Sequence, residues 1–376
     1  MEKALLELFF WLHQHPETGG CEHETTRRLR GILEAHGIEI LPSSLRTGLI
    51  AVLHGSSEGR CIGLRADIDA LPIQEESGLP YASVNPGCMH ACGHDFHATS
   101  ILGAALLLHQ RRSEWRGTVK VVFQPAEEID QGGRQVMATG LVDDCALFLA
   151  GHTIASLPAG TLGIKPGPVM AAVDRFHVTL RGRGCHAAHP DKGVDPIPAM
   201  AAMVQSLQTI VSRSMHPFAP RLVSITHVEA GNTWNVIPES AAFEGTIRTL
   251  DAADRTLAET RFRQIVAGTA AAYGVSADVA WTHGSPAVVN DERLCMLARQ
   301  VAAQVGLTAT LQENTLGAED FSLYGQGRPA LFVRVGTGGE YPAHHPRFTV
   351  DPQALYPAAR FFAEMALACL REEDMQ

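Results

Sequence analysis

The sequence has no cluster of basic residues and few cysteines, and each shortage excludes a class of protein. Its 376 residues carry a formal net charge of −10, without the clustered Lys and Arg that phosphate binding needs, so nucleic acid is not an expected partner. Eight cysteines in so long a chain are too sparse for a disulfide scaffold. We therefore expect reduced thiols and a cytoplasmic protein.

Long hydrophobic runs are also missing, and no stretch is long enough to span a bilayer, so a membrane is not an expected partner either. The N-terminal segment "MEKALLELFFWLHQHPE" contains an apolar run, but Glu2 and Glu7 flank and interrupt it. It lacks the basic leader and small-residue cleavage site of a signal peptide. The spacing of its apolar residues predicts an amphipathic first helix that packs on the core.

What the sequence does contain is a set of strand-length apolar runs that end in polar residues. The segments are "CIGLRADIDALP", "TVKVVFQPAEE", "ALFLAGHT" and "ALFVRVGTGG". Helix-like segments at 98–110 and 132–140 lie between the first three. Nearly continuous apolar strands that alternate with helices predict an α/β fold with a mostly parallel sheet covered by helices on both faces. In such sheets the site lies beyond the carboxyl ends of the strands, where these polar residues fall.

Residues 173–283 follow another pattern, strand–helix–strand–strand–helix–strand, which is typical of a ferredoxin-like α+β domain. This segment interrupts the series of apolar strands, since the fourth of them comes after it. The order predicts a discontinuous catalytic domain of residues 1–172 and 284–376 around an inserted domain that acts as a lid.

The segment "PGCMHACGHDFHATS" contains the densest group of metal-binding side chains. Cys92 and His94 are two positions apart, so on an extended loop both side chains point to one side. Gly93 between them lets the backbone come close to its surroundings. A thiolate and an imidazole suit zinc, manganese, cobalt or nickel. A loop turn that satisfies its own polar groups is the alternative interpretation.

Two adjacent carboxylates, Glu127 and Glu128, follow the strand-like segment "TVKVVFQ". Burying both is costly unless a cation or a proton offsets their charge. On a turn, one can bind a metal while the other acts as a general base, which is the division of roles that metal-assisted hydrolysis needs. A solvated acidic turn is the alternative.

His152 and His344 follow apolar runs of strand length, and each alone would be interpreted as a structural hydrogen-bonding residue. Together with Cys92, His94 and Glu128 they make five protein ligands. That number is too large for one catalytic tetrahedral ion with an open position. It suits a hydrolytic site with two metal ions.

These segments, with others along the chain, resemble the aminoacylase, hippurate hydrolase and auxin-amino-acid-conjugate hydrolase branch of the dinuclear metal-dependent aminoacylase and carboxypeptidase family. The matching blocks run in order from about residue 65 to 350: "RADIDALPI", "MHACGHDFHATSILGAA", "GTVKVVFQPAEE", "GHTIASLPAG", "RGCHAAHP", "DPIPA", "NTWNVIPES", "EGTIRTL", "GAEDFSLY" and "HHPRF". The resemblance implies a zinc-peptidase-like catalytic domain with an inserted lid and dimerisation domain. It also implies two divalent metal ions per subunit, manganese first and zinc, cobalt or nickel as alternatives, and a homodimer or higher oligomer.

The resemblance further implies a role for each matching residue. Glu127 is the general base that later donates the proton to the leaving amine. His186 polarises the scissile carbonyl, often in the site of the partner subunit. Asn235 and Arg248 hold the carboxylate of the substrate; without the resemblance they would be interpreted as a turn cap and a surface arginine. The metal ligands that it implies are Cys92, His94, Glu128, His152 and His344.

The resemblance also places three further acidic residues, Asp67, Asp69 and Glu319, near the metals, where the two aspartates would orient a ligand imidazole. Cys185 stands where the family often has glycine, and Asp191 where many relatives have histidine, so both bear on substrate range. The residues that flank the ligands are expected to support them or to be structural: Cys88, His90, Asp95 and His97.

The resemblance implies hydrolysis of the amide bond of N-acyl-L-amino acids, of the N-acetyl, benzoyl or indoleacetyl type, into a carboxylic acid and an amino acid. A dipeptidase or carboxypeptidase of the same clan is the nearest alternative. A hydrolase with Cys92 as its nucleophile is more remote, because it leaves Glu127, Glu128 and His344 without a task. A non-catalytic metal-binding protein would have no need of Glu127.

Overall fold

The computed structural model describes residues 1–371. Its α-helices are α1 Glu2–Gln14, α2 His23–Ala35, α3 His94–Gln110, α4 Gly132–Ala138, α5 Pro196–Leu207, α6 Thr209–Arg213, α7 Ala252–Tyr273, α8 Glu292–Gln304 and α9 Leu355–Arg371. Its strands are β1 Glu39–Ile40, β2 Leu49–His54, β3 Cys61–Asp67, β4 Thr118–Gln124, β5 Phe148–Ile154, β6 Thr161–Gly163, β7 Gly167–Met170, β8 Ala172–Arg181, β9 Cys185–His186, β10 Arg221–Ala230, β11 Val236–Ile237, β12 Ser240–Thr249, β13 Ser276–His283, β14 Val288–Asn290, β15 Thr308–Thr310 and β16 Ala330–Gly336.

The chain divides into two compact units. The first contains Met1–Val169, Val289–Glu313 and the described residues from Asp320 onward, and the second contains Met170–Val288 and Asn314–Glu319. The predicted insert, 173–283, therefore falls inside the second unit. The short return to that unit at 314–319 was not predicted, because its sequence shows neither helical nor strand periodicity. The lid role of the insert stays a prediction.

The first unit is built on a large sheet with the strand order β1-β2-β4-β3-β5-β16-β6-β15. Strand β3 is parallel to both of its neighbours, β4 and β5, and β5 is parallel to β16. Every residue of β16 is buried, as expected of a strand that is covered on both faces. The predicted α/β fold with a mostly parallel sheet is confirmed.

Helix α1 has the predicted amphipathic character. Its buried apolar side chains, Leu5, Leu8, Phe9 and Leu12, recur at the three- and four-residue spacing that places them on one face. Among the described residues, no helix combines the length and the apolar character that crossing a bilayer needs.

The second unit has an antiparallel sheet with the strand order β10-β12-β8-β13. In chain order its main elements are β8, α5, β10, β12, α7 and β13, which is the predicted strand–helix–strand–strand–helix–strand pattern. Phe176, Phe243 and Phe262 are buried in its core. Helix α5 begins where Asp195 accepts a hydrogen bond from the Ile197 N–H, because such a cap satisfies an amide that the helix leaves unpaired.

Candidate metal centre

Cys92 and His94 lie where the chain enters α3, and both are buried. Gly93 between them has φ +82°, and a Cβ there would lie 2.5 Å from Oγ1 of Thr153, so only glycine fits this position. His94 is the first residue of α3. The expectation that both residues lie on an extended loop is therefore wrong for His94, because the helix begins one turn earlier than its apolar periodicity indicates.

Cys92 and His152 face one another across the site. The Sγ of Cys92 lies 3.3 Å from Nε2 of His152. Nδ1 of His152 donates to the carbonyl oxygen of Thr153 at 2.8 Å, so its Nε2 carries the lone pair that a metal ion needs. Burial chiefly, and then the charges of His97 and Arg334, lower the pKa of His152 well below its usual range. The imidazole is therefore neutral, the form that binds metals.

His94 is held on one side only. Its Nδ1 lies 3.2 Å from Oδ1 of Asp69, whereas its buried Nε2 has no hydrogen-bond partner among residues 1–371. Burial lowers the pKa of His94, but the charge of Asp67 and the bond to Asp69 outweigh it and raise the pKa well above its usual range. The surroundings of His94 therefore favour positive charge.

The two predicted carboxylates lie on the turn after β4. Ala126 adopts φ +55° there, and its N–H donates to Oε1 of the buried Glu22 at 2.8 Å. The N–H of Glu128 donates to Oδ2 of Asp69 at 3.0 Å. These bonds fix the turn and aim Oε1 of Glu128 at Nε2 of His344, 3.4 Å away. Glu22 was not predicted, and an acidic residue so far from the turn in sequence gives no signal of this contact.

The carboxylates differ in their surroundings. Burial raises the pKa of Glu128, but the bond to His344 and the charge of His94 outweigh it, and its pKa lies below the usual value. An oxygen of Glu127 lies within 4.8 Å of ligand atoms of His94 and Glu128. Both carboxylates therefore lie within 4.8 Å of a ligand nitrogen of His94.

His344 and its neighbour His345 have different environments. His344 adopts φ +68°, and its N–H donates to the carbonyl oxygen of Ala91 at 2.7 Å, which ties its loop to the segment that carries Cys92. The ring of His345 instead stacks on Tyr341, with centroids 4.3 Å apart. The structure therefore brings His344 to the centre.

Several of the predicted ligands fall into overlapping groups whose ligand atoms lie within 4.8 Å of one another. These groups include Cys92–His94–His152, Cys92–Glu128–His344 and His94–Glu127–Glu128. Burial raises the pKa of Cys92 to about 12, so only a nearby cation would hold it as a thiolate at neutral pH. Sulfur, nitrogen and carboxylate donors, with the buried Nε2 of His94 left without a hydrogen-bond partner among the described residues, fit divalent metal ions.

The two predicted aspartates support different neighbours. Asp69 contacts His94 and the backbone of Glu128, as given above. Asp67 lies 2.6 Å from Nδ1 of His97, whose Nε2 accepts from the Thr153 N–H at 2.8 Å. Asp67 therefore orients His97, and its Oδ2 is 3.8 Å from Nε2 of His94.

A buried network beneath the centre was missed in the sequence. Arg65, 1% exposed, donates to Asp67 at 2.6 Å, to Gln124 at 3.0 Å and to Asp320 at 2.8 Å. The burial of so long a charged side chain is costly unless it is paired. An arginine inside the apolar strand "CIGLRAD" was the available signal. The network fixes the carboxyl end of β3, where Asp67 lies.

The remaining predicted residues lie in the second unit. His186 pairs with Val236 between β9 and β11, and the Ala187 N–H donates to the carbonyl oxygen of Asn235 at 3.0 Å, so His186 and Asn235 are near neighbours. A cavity of about 790 Å³ is lined in part by His186. On β12, Nε of Arg248 donates to Thr246 Oγ1 at 3.1 Å. Glu319 is 2% exposed.

Comparisons with known proteins agree with this chemistry. The profile of Peptidase family M20/M25/M40 matches residues 63–368. N-acetylcysteine deacetylase from Bacillus subtilis (strain 168) is 46% identical over 360 residues, 96% of this chain and 95% of that protein. N-acyl-L-amino acid amidohydrolase from Geobacillus stearothermophilus is 39% identical over 280 residues, 74% of this chain and 76% of that protein. The crystal structure of a Bacillus subtilis protein, described as a dinuclear metal binding peptidase from the M20 family, has a TM-score of 0.91 and 42% identity and covers 99% of this chain and 98% of its own.

Proposed function

Since this chain belongs to Peptidase family M20/M25/M40, we propose that it is a metal-dependent amidohydrolase that cleaves the amide bond of N-acyl-L-amino acids. The products are a carboxylic acid and an amino acid. The proposal depends above all on the cluster of donor atoms that lie within 4.8 Å of one another, in which the buried Nε2 of His94 has no hydrogen-bond partner among the described residues. The deacetylase and the amidohydrolase among its relatives support the substrate class.

The metal centre that we propose holds two divalent ions. When bound, such ions polarise a carbonyl oxygen and lower the pKa of a water molecule. Thiolate, imidazole and carboxylate donors accept manganese, zinc, cobalt or nickel, and we propose manganese first. Asp69 keeps an imidazole and a turn in place, which fixes donor positions before an ion arrives. The ligands are Cys92, His94, Glu128, His152 and His344.

Glu127 carries the proton in this proposal. A general base at such a centre must lie close to the metal ligands without itself binding a metal. An oxygen of Glu127 lies within 4.8 Å of atoms of His94 and Glu128, while Glu128 is directed at His344. Glu127 therefore takes a proton from the attacking water and later delivers it to the leaving nitrogen.

The second unit supplies substrate recognition in this proposal. We assign the substrate's carboxylate to Arg248 and Asn235, because a guanidinium fork matches a carboxylate and an amide adds direction. His186 polarises the scissile carbonyl from the partner subunit of a homodimer, with residues 173–283 as lid and dimerisation domain. Glu319 supports the centre, and the reduced thiols suit a cytoplasmic enzyme.

The test is hydrolysis of a panel of acetyl-, benzoyl- and indoleacetyl-amino acids by purified protein. Activity should disappear in a chelator and return with manganese, cobalt or zinc. Dipeptides with a free α-amine form a second arm, because preference for them would make the protein a dipeptidase or carboxypeptidase. Full activity without metal would instead support a hydrolase with Cys92 as nucleophile and overturn the proposal.

A further inference from the structure

Two cysteines away from the candidate metal centre lie with their sulfur atoms 3.6 Å apart. Cys61 is the first residue of β3, and Cys145 lies in the turn before β5. The Ala146 N–H donates to the carbonyl oxygen of Cys61 at 2.8 Å, which holds the two segments together. Asp67 lies at the opposite end of β3, so the pair is separate from the centre. Both cysteines are free thiols.

The two thiols are not equivalent. Cys61 is partly exposed, whereas Cys145 is buried, with 3% of its surface accessible. The pKa of Cys61 is lowered, chiefly by its hydrogen bond with Cys145 and to a smaller extent by the charge of Lys120, against the effects of burial and of the Asp144 carboxylate. The same hydrogen bond, and then burial, raise the pKa of Cys145. A partly exposed thiol of lowered pKa with a buried thiol behind it is the arrangement of a nucleophilic and a resolving cysteine.

The position of Lys120 argues against a bound cation at this pair. Asp144 lies with Cys61 and Cys145 in a group that could hold a metal ion. However, Lys120 on the adjacent strand β4 donates to the carboxylate of Asp144 and, at 2.6 Å, to the carbonyl oxygen of Leu141. The carboxylate is therefore already paired with a cationic side chain. The ammonium group repels a metal cation and partly offsets the effect of Asp144 on the thiol of Cys61.

We propose that Cys61 and Cys145 form a redox-active dithiol that is oxidised by low-molecular-weight disulfides. The Cys61 thiolate attacks one sulfur of the disulfide, whose S–S bond breaks and releases one thiolate. Cys145 then gives its proton to solvent, and its sulfur attacks the Cys61 sulfur and releases the second thiolate. The two protein thiols are oxidised to one disulfide, and the small disulfide is reduced to two thiols. To form the disulfide, the sulfur atoms must approach from 3.6 Å to a bond of about 2.05 Å. Rotation of the two cysteine side chains can supply this movement.

The experiment incubates metal-loaded protein with oxidised glutathione, alkylates the remaining thiols and maps the cysteines by mass spectrometry. Wild-type protein should contain a Cys61–Cys145 disulfide and no glutathione on either residue. Cys145→Ser should retain glutathione on Cys61, because no resolving thiol is present. In Cys61→Ser, Cys145 should stay reduced because it is buried. Cys21→Ser removes an exposed cysteine outside the pair and should form the disulfide as the wild type does.

Three results would overturn the proposal. Glutathione that stays on Cys61 in the wild type would mean that Cys145 does not resolve the mixed disulfide. Modification of Cys21 without any modification of Cys61 would mean that Cys61 is not a reactive thiol. A loss of one bound metal ion per chain in Cys61→Ser would mean that the group holds a cation. Hydrolysis by reduced Cys61→Ser protein should equal that of the wild type, which shows that the variant is folded.

Discussion

The sulfur of Cys92 lies 3.3 Å from Nε2 of His152, although 60 residues separate the two in the chain. Both side chains are buried. The ring of His152 is oriented by a backbone carbonyl, to which its Nδ1 donates, and not by a carboxylate. The thiol is kept protonated by its surroundings. This pairing has the features of a site in which a cation replaces a proton.

The first prediction concerns metal content. Cys92→Ala should lower the bound metal measured by elemental analysis together with turnover, because it removes a donor that two groups of potential ligands share. Cys88→Ala changes a nearby cysteine in the same segment and is the matched control. Unchanged metal content in Cys92→Ala would contradict the ligand assignment.

The second prediction separates the adjacent carboxylates. Glu127→Gln should keep the metals and the fold but lower kcat by at least roughly 10²-fold, the scale of a lost general base. Glu128→Gln should instead lower metal content, because it removes an oxygen that faces His94 and His344. Steady-state kinetics measures the change in kcat of each variant, and elemental analysis measures its metal content. Reversed phenotypes would mean that the two roles are exchanged.

Pattern alone predicted the elements well because burial leaves a clear period in the sequence. The apolar run "ALFVRVG" became β16 and "TVKVVFQ" became β4, since both are buried strands of one sheet. The strand–helix–strand–strand–helix–strand pattern predicted a single helix between the first two strands of residues 173–283, whereas the structure has two helices there, α5 and α6. The apolar residues of this segment continue through the break, so their spacing gave no sign of it.

The contacts that set up the candidate centre could not be predicted in the same way. Arg65 and Asp320 are 255 residues apart, and the sequence around either residue does not indicate a contact with the other. Glu22 supports the turn at Ala126 from the start of α2, again through tertiary packing. Sequence reasoning therefore finds candidate donors, whereas the residues that hold them in place require the fold.

The third prediction concerns the substrate's carboxylate. Arg248→Ala should raise KM for N-acyl amino acids and have little effect on the matching amino-acid amides, which lack the charge. A charged contact of this kind is worth on the order of 2 to 5 kcal/mol when it is buried. Steady-state kinetics on both substrate series gives the answer, and equal losses on both would make Arg248 a structural residue.

The fourth prediction is a pH-dependent contribution of His13 to stability. His13 is buried, and its Nδ1 lies 2.6 Å from Asp95 and its Nε2 3.2 Å from Glu75. Burial alone would lower the pKa of His13, but these two carboxylates raise it from 6.5 to about 9. Protonation therefore favours the folded state. The stabilisation, on the order of 3 kcal/mol, is fully present below pH 6.5 and is lost as pH rises through about 9.

The measurement is denaturant unfolding of His13→Gln and wild-type protein at pH 6 and pH 10. The difference in unfolding free energy should be larger at pH 6. His15→Gln is the control on the same segment, because the ring of His15 contacts the backbone carbonyl of Trp11 instead of a carboxylate. A difference that does not change with pH would contradict the charged state assigned to His13.

The fifth prediction concerns the assembly and the role of His186. The sheet of the second unit has β10 and β13 at its edges, and an edge strand needs to be covered or paired. Pairing two copies about a two-fold axis would satisfy this need, and such dimers are the commonest soluble assemblies. In the dimer that we propose, each site borrows His186 from its partner.

Complementation tests this arrangement directly. His186→Ala and Glu127→Gln proteins, each inactive alone, are mixed under conditions that exchange subunits. One site of a mixed dimer then has its own Glu127 and the partner's His186, because the His186→Ala chain keeps its general base and the other chain keeps its histidine. Activity should return to about half of the wild-type level per mixed dimer by symmetry. If exchange is demonstrated by mass spectrometry and no activity returns, His186 acts within its own chain or has no role in the reaction.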